Sequence, residues 1–489
     1  MADTIDLAND LSELGAVDAN DLLLGYSKSG KKFGYIPVSV VVRGGYACRR
    51  WNMNNSSPTG EAYGDVQYLA DLPDLLGLGC YLVDANHGRR KLDPTNHYKF
   101  ATGETAALDG SMGDYMWGWN TKWYYAWWVE GNYYYEAASL KPIPGRYNYI
   151  IPVASMSAVG GIVMDRTNNK AMSIINKSTQ YRGGGNDSAK DDAYNTMLGT
   201  IATNMTAAQF SAAAHNKGDG WEAGYYAHYA AVGILFRIIF GTRNVQATYN
   251  GTLDANGCMQ GGLGEGLTSF SQWSSGFSYY PFMQTDYTSQ IKSGAAITTL
   301  GDWAASIPVS VKYNADGNYS NMNMAVFFGL QHPFGYMGRI ETGRLINMVS
   351  DNNGGYYGEV YVAKSFYNFI KQSGNTMSLT GKVKVATLPT ITAAGWTYPT
   401  RMSNEALCHA ATVLGGSSST YFCDGTYFSA SAGLRVPLVG GAAYTGDAAG
   451  LECLYAHDGV TFADVNYGSP LCEAAEDWST EPVLVSADA

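Results

Sequence analysis

Carboxylates, aromatic rings and a histidine crowd into one short segment, LVGGAAYTGDAAGLECLYAHDGVTFADVNYG, from Leu438 to Gly468. Between its glycines it carries Ala442, Tyr444, Thr445, Asp447, Glu452, Tyr455, His457, Asp458, Phe462, Asp464 and Asn466. Two chemistries are open to such a set. Paired carboxylates, Asp458 with Asp464 or Asp447 with Glu452, are the groups that hydrolysis of a polysaccharide requires. Varied side chains on a fixed backbone are instead what recognition requires, because Tyr, Asp and His supply stacking, hydrogen bonds and charge at small entropic cost. A catalytic loop converges on a few acids, bases or nucleophiles, and this segment does not. On residue chemistry alone, a binding surface and an irregular loop-rich core stand level.

Elsewhere the reactive residue types are scattered. The seven cysteines, Cys48, Cys80, Cys258, Cys408, Cys423, Cys453 and Cys472, are too unevenly spaced for a disulfide framework or a CxxC metal site, and they read as buried thiols. His215 and His228 fall in helical segments and read as structural histidines. GGLGEGL, Gly261 to Leu267, lacks a GK[ST] ending, a preceding strand and a following long helix, so phosphate-loop and dinucleotide readings both fail. The net charge is -11 and no run of Lys or Arg occurs, which argues against nucleic acid and against an anionic membrane. The most apolar window, VGILFRIIF from Val232 to Phe240, is nine residues long and contains Arg237. A bilayer span needs about 20. The start, MADTIDLANDLSELG, is acidic and has no apolar core of a secretory signal.

The elements that must position these residues can be read from pattern. At 489 residues the chain is long enough for two or three domains. Its 58 glycines, 37 tyrosines and 15% charged residues, against roughly 25% in an average protein, imply loops and tyrosine-rich surfaces. Residues 1–45 predict a small attachment module, with LLLGY, a KSGKK turn and a β-branched strand in FGYIPVSVVV. Residues 46–144 predict a β-rich intermediate domain. Its aromatic tract MWGWNTKWYYAWWVEGNYYYEA, Met116 to Ala137, predicts a hairpin turning near Glu130-Gly131-Asn132, with rings that pack across strands rather than stack on sugars. A linker near Pro142 then leads into residues 145–489. There Thr206 and Gln209 have capping-box spacing and Met205 and Phe210 staple spacing, which predicts a helix start. A second helix is predicted from Trp221, Tyr225, Tyr229, Val232, Phe236 and Ile239, one apolar face ending at Gly241.

Several phrases in this last region come in a recognisable order: YRGG (Tyr181 to Gly184), the capped helix, FGTRNVQ (Phe240 to Gln246), GLQHPFGYMGR (Gly329 to Arg339), GGSSSTYFCD and GLRVPLVGG. Over about residues 145–475 this resembles the C-type lectin fold as used by the formylglycine-generating enzyme family and by the variable proteins of diversity-generating retroelements, especially tail proteins of phages infecting gut Bacteroidales. GLQHPFGYMGR is similar to the family's G-x-x-N-P-[FW]-G-N segment, with His332 and Tyr336 in place of the two asparagines. The fold class expected is therefore α+β, a C-type lectin domain preceded by β-rich N-terminal modules.

In such variable proteins a template repeat is copied with errors at adenines, so asparagine codons diversify while glycine and apolar scaffold codons persist. The resemblance implies that LRVPLVGG, AAGL and NYGSPL are the frame and that Ala442, Tyr444, Thr445, Asp447, Glu452, Tyr455, His457, Asp458, Phe462, Asp464 and Asn466 are ligand-binding positions. Glu452 is the weakest of them, because an asparagine codon does not reach glutamate by adenine change. The protein expected is a phage tail receptor-binding protein, assembled in the host cytoplasm and carried on the virion. It would be a homotrimer, held by other tail proteins and contacting a bacterial surface protein or glycan. A structural virion component and a polysaccharide-degrading tip enzyme are the alternatives. No cofactor is expected. The lectin triplets that coordinate calcium are absent, and the copper-binding cysteine pair of the formylglycine-generating family is broken, with Cys423 present but Phe428 five residues on.

Overall fold

Alternating aromatics build the first large sheet. In the computed structural model, which describes residues 22–27, 32–37, 45–190, 198–249, 304–312, 319–370, 377–442 and 445–487, the expected hairpin forms from strands Trp123–Glu130 and Tyr133–Ser139. Tyr133 pairs with Glu130, and Gly131 sits in the turn at φ 57°, a conformation glycine adopts without steric cost. Trp128 and Tyr135 are direct cross-strand partners with stacked rings 4.9 Å apart, and Trp123 and Tyr125 are fully buried. The rings pack, as their pattern predicts. This sheet has six strands, in the order Val483–Leu484, Tyr147–Ile151, Trp123–Glu130, Tyr133–Ser139, Ala47–Asn52 and Glu61–Gly64.

A seven-stranded sheet runs Trp221–Ala223, Leu471–Ala474, Ala154–Ser157, Asp114–Trp119, Gly79–Val83, Arg89–Asp93 and Asn96–Phe100. Its central strand Asp114–Trp119 is buried at every position. Both sheets correct the expected division at residue 144. Tyr147–Ile151 pairs with Trp123–Glu130, and Ala154–Ser157 lies between Asp114–Trp119 and Leu471–Ala474. The backbone groups of each side are satisfied by the other, so residues 46–144 and the residues after them share their sheets instead of forming separate domains.

Two helices pack into this frame. Ala207–His215 begins as predicted, with Thr206 accepting from the Gln209 amide and the Gln209 side chain returning the bond. The longer helix is Tyr226–Phe240, closed by Gly241 at φ 64°. It departs from its prediction twice. Trp221 lies in a strand before it, and every residue of the helix except Tyr229 and Phe240 is buried, so it is a core helix with no single apolar face. His228 is buried on it, its Nε2 3.1 Å from the Glu473 carbonyl, and burial holds its pKa down at about 4. His215 meets the Glu222 carboxylate at 2.7 Å.

With 16% helix and 40% strand the chain is β-rich α+β. Near the N-terminus, Leu22–Ser27 and Lys32–Pro37 pair antiparallel, and residues 28–31 between them lie outside the described residues. The remainder of FGYIPVSVVV and the GGLGEGL cluster lie outside the described residues. Among the described residues no helix is long and apolar enough to cross a membrane.

Candidate functional site

A second six-stranded sheet is assembled from the C-terminal third, in the order Gly395–Thr397, Thr426–Phe428, Leu454–Ala456, Leu438–Val439, Gly338–Ile340 and Tyr467–Gly468. Its strands are two or three residues long, and two of them alternate between buried and half-exposed positions. In Thr426-Tyr427-Phe428 and Leu454-Tyr455-Ala456 the outer residues are buried and the tyrosine between them is half-exposed. Successive side chains on a strand point to opposite faces. Register then aligns Trp396 with Tyr427, Tyr427 with Tyr455 and Tyr455 with Leu438, giving one row across four strands.

That row borders a cleft of about 500 Å³. Trp396, Tyr427, Tyr455 and His457 form a connected ring cluster, with Tyr427 and Tyr455 4.9 Å apart and His457 5.7 Å from each. Phe462 and Tyr467, 5.7 Å apart, also line it. Ala442, Thr445, Asp458 and Asp464, from the predicted set, line it as well. Asp458 accepts from the Tyr467 hydroxyl at 2.8 Å and lies 3.2 Å from His457 Nδ1. Asp464 accepts from the Val465 amide at 2.6 Å. Burial pushes the Asp464 carboxyl up and the Asp458 charge adds to this, against the pull of the Val465 amide. The Tyr455 phenol is likewise pushed up, by burial first and then by Asp458.

The glycine frame has a steric basis. Gly441 stands at φ 71°, and a Cβ there would lie 2.9 Å from that of Ala449. A Cβ on Gly450 would lie 2.1 Å from the buried Asp424 carboxylate, which accepts the Glu452 amide at 2.8 Å. Gln246, just past the core helix, donates to the carbonyls of Gly446 and Ala449 at 3.0 and 2.8 Å. These contacts hold the segment to the core.

Seven of the eleven predicted residues thus line one cleft: Ala442, Thr445, Tyr455, His457, Asp458, Phe462 and Asp464. Four do not. Glu452 turns inward, where it pairs with Arg237 and places its other oxygen 2.8 Å from His409 Nδ1. Arg237 also holds Glu136 through bonds of 2.7 and 2.8 Å. Burial would raise the Glu452 carboxyl, but Arg237 and His409 hold it at about 2. An ion-paired carboxylate in the interior is a structural group, which removes Glu452 from the ligand-binding set. Asn466 is also fully buried and cannot present its amide to a ligand. Asp447 is exposed but is not in the cleft wall; it accepts from the Tyr398 hydroxyl at 3.0 Å. Tyr444 lies outside the described residues.

Sequence reasoning missed Trp396, Tyr427 and Tyr467, which come from outside the mixed positions. The signal for Tyr427 was present as an aromatic flanked by residues that bury, but its neighbour Tyr455 comes from a parallel pairing that local pattern does not reveal. Cys423 is buried and its thiol is pushed up to about 12, by burial first and then by Asp424, while Phe428 is buried in the core. Among the described residues no group of three or more His, Cys, Asp or Glu side chains is placed to hold a metal ion. No protein-family model and no curated protein matches this chain.

Proposed function

We propose that the protein is a receptor-binding component of a phage tail, with a C-type lectin fold that presents a diversified cleft to the host surface. The observation that carries this reading is the convergence of seven candidate positions, drawn from Ala442 to Asp464, on one open cleft whose backbone is held by glycines and buried contacts. A site meant to vary needs a frame that does not depend on the varied side chains. Here the frame is Gly441, Gly450, Asp424 and Gln246, which lie outside the mixed set. Attachment through the N-terminal residues to other virion proteins and assembly as a homotrimer complete the proposal, since three clefts would turn weak contacts into useful avidity.

Adsorption tests it. Particles whose tail protein has Tyr455, His457, Asp458, Phe462 and Asp464 replaced by alanine should lose adsorption to host strains. Unchanged adsorption across a panel, by a variant shown to be folded, would remove the cleft as the receptor site. Sibling isolates should also vary at these codons while Gly441 and Gly450 stay constant, and invariance throughout would favour a structural virion role.

One observation favours a second reading as a polysaccharide-degrading tip protein: Asp464, with its raised pKa, lies near Asp458 in a cleft, the pairing a glycosidase uses for acid and nucleophile or base. Release of reducing sugar from host capsule that disappears in Asp464→Asn would establish it.

A further inference from the structure

The cleft has a charge and a shape that narrow what it can hold. Six rings line it, Trp396, Tyr427, Tyr455, His457, Phe462 and Tyr467, together with two carboxylates, and no lysine or arginine is among the described lining residues. The rings do not form one platform. Tyr427 stands at 74° to Trp396 and 73° to His457, and Phe462 at 52° to Tyr467, while Tyr455 is tilted by 34–42° from its three neighbours. Rings set at such angles enclose a volume, whereas a sugar face stacks on a flat one.

We propose that the cleft takes a basic side chain, the ammonium of lysine or the guanidinium of arginine, projecting from a protein on the bacterial surface, with Asp458 and Asp464 as its counter-charges. This inference rests on the receptor-binding reading and narrows the ligand from protein or glycan to a basic protein side chain. Aromatic faces attract cations through the ring quadrupole. The carboxylates add negative charge that no lining lysine or arginine offsets, so an anionic glycan meets like charge and a cation meets its complement. Neutral sugars are bound by directional hydrogen bonds, and part of the acceptor capacity here is already committed: Asp458 to Tyr467 and His457, and Asp464 Oδ1 to the Val465 amide. An incoming cation favours the ionised form of Asp464, opposing the burial that pushes its carboxyl up. Trp396 and Tyr427 supply ring surface from outside the mixed segment, whereas both counter-charges lie within it, so the preference for a cation belongs to this particular set of residues 442–464.

Saturation-transfer NMR on the full chain tests this with four probes: acetyl-Gly-Lys-Gly-amide, its arginine and glutamate counterparts, and maltose. The lysine and arginine peptides should bind, and the glutamate peptide and maltose should not. The double variant Asp458→Asn, Asp464→Asn, which keeps the hydrogen-bonding shape, should bind the basic peptides at least tenfold more weakly with an unchanged melting temperature. Trp396→Ala, at an exposed ring, should weaken them as well. Binding of maltose in place of the basic peptides, or undiminished peptide binding by the folded double variant, overturns the proposal. If the five-alanine variant loses adsorption while the basic peptides fail to bind the parent, this proposal falls and the receptor reading stands. Retained adsorption by the five-alanine variant overturns the receptor reading itself.

Discussion

Glu452 and Tyr455 belong to the same short stretch yet do opposite work. Glu452 closes a buried network with Arg237, Glu136 and His409, so Glu452→Gln leaves a buried cation short of one partner. Breaking such a pair costs about 3–5 kcal/mol, and denaturant unfolding should show it. The carboxyl sits at about 2 in the fold against an ordinary value near 4.5, so its contribution is fully present above that ordinary value. It is lost progressively as the pH falls toward 2. Stability measured between pH 5 and pH 2 should therefore fall less steeply in Glu452→Gln than in the parent. Tyr455→Ala should do the reverse, with a modest effect on stability and a large one on adsorption. Truncating a central interface tyrosine costs about 2 kcal/mol or more, roughly thirtyfold in affinity.

At the scale of elements, the segment's glycines are decided by what lies against them. Gly450→Val would drive its side chain into the Asp424 carboxylate, and Gly441→Val would force a branched residue to a positive φ beside Ala449. Both variants should fail to fold to a protease-resistant form, in contrast to alanine at Asp458 or Phe462. The capped helix offers a local comparison. Thr206→Ala removes one half of the capping box and should cost about 1 kcal/mol, read by thermal unfolding, without touching adsorption.

For the whole molecule, the shared sheets forbid a cut near residue 144. A fragment of residues 145–489 would leave Tyr147–Ile151 without Trp123–Glu130, Ala154–Ser157 without Asp114–Trp119, and Arg237 without Glu136. It should lack a cooperative unfolding transition by circular dichroism and be digested rapidly. A fragment that melts cooperatively and resists protease would restore the division that the linker composition suggested. Removal of the residues before 45 is the opposite case. If they serve as the virion anchor, the truncated protein should still bind host cells and should be lost from particles.

What could be read from residues alone was whatever depends on neighbours in sequence. The turn at Gly131, the capping box at Thr206, the helix end at Gly241 and the glycine frame of residues 438–468 are set by local backbone preference and short-range hydrogen bonds. The composition of the cleft was legible in the same way, as a mixed set on a fixed frame. Which of those side chains face the cleft was not. Glu452 and Asn466 turn inward because their partners and packing come from distant segments, and Trp396 and Tyr427 join the cleft because short strands far apart in the chain pair in register. The helix Tyr226–Phe240 shows the same limit, since burial on every side erases the period that would mark a face. Long-range pairing and burial are properties of the assembled sheets, and only the tertiary structure could decide them.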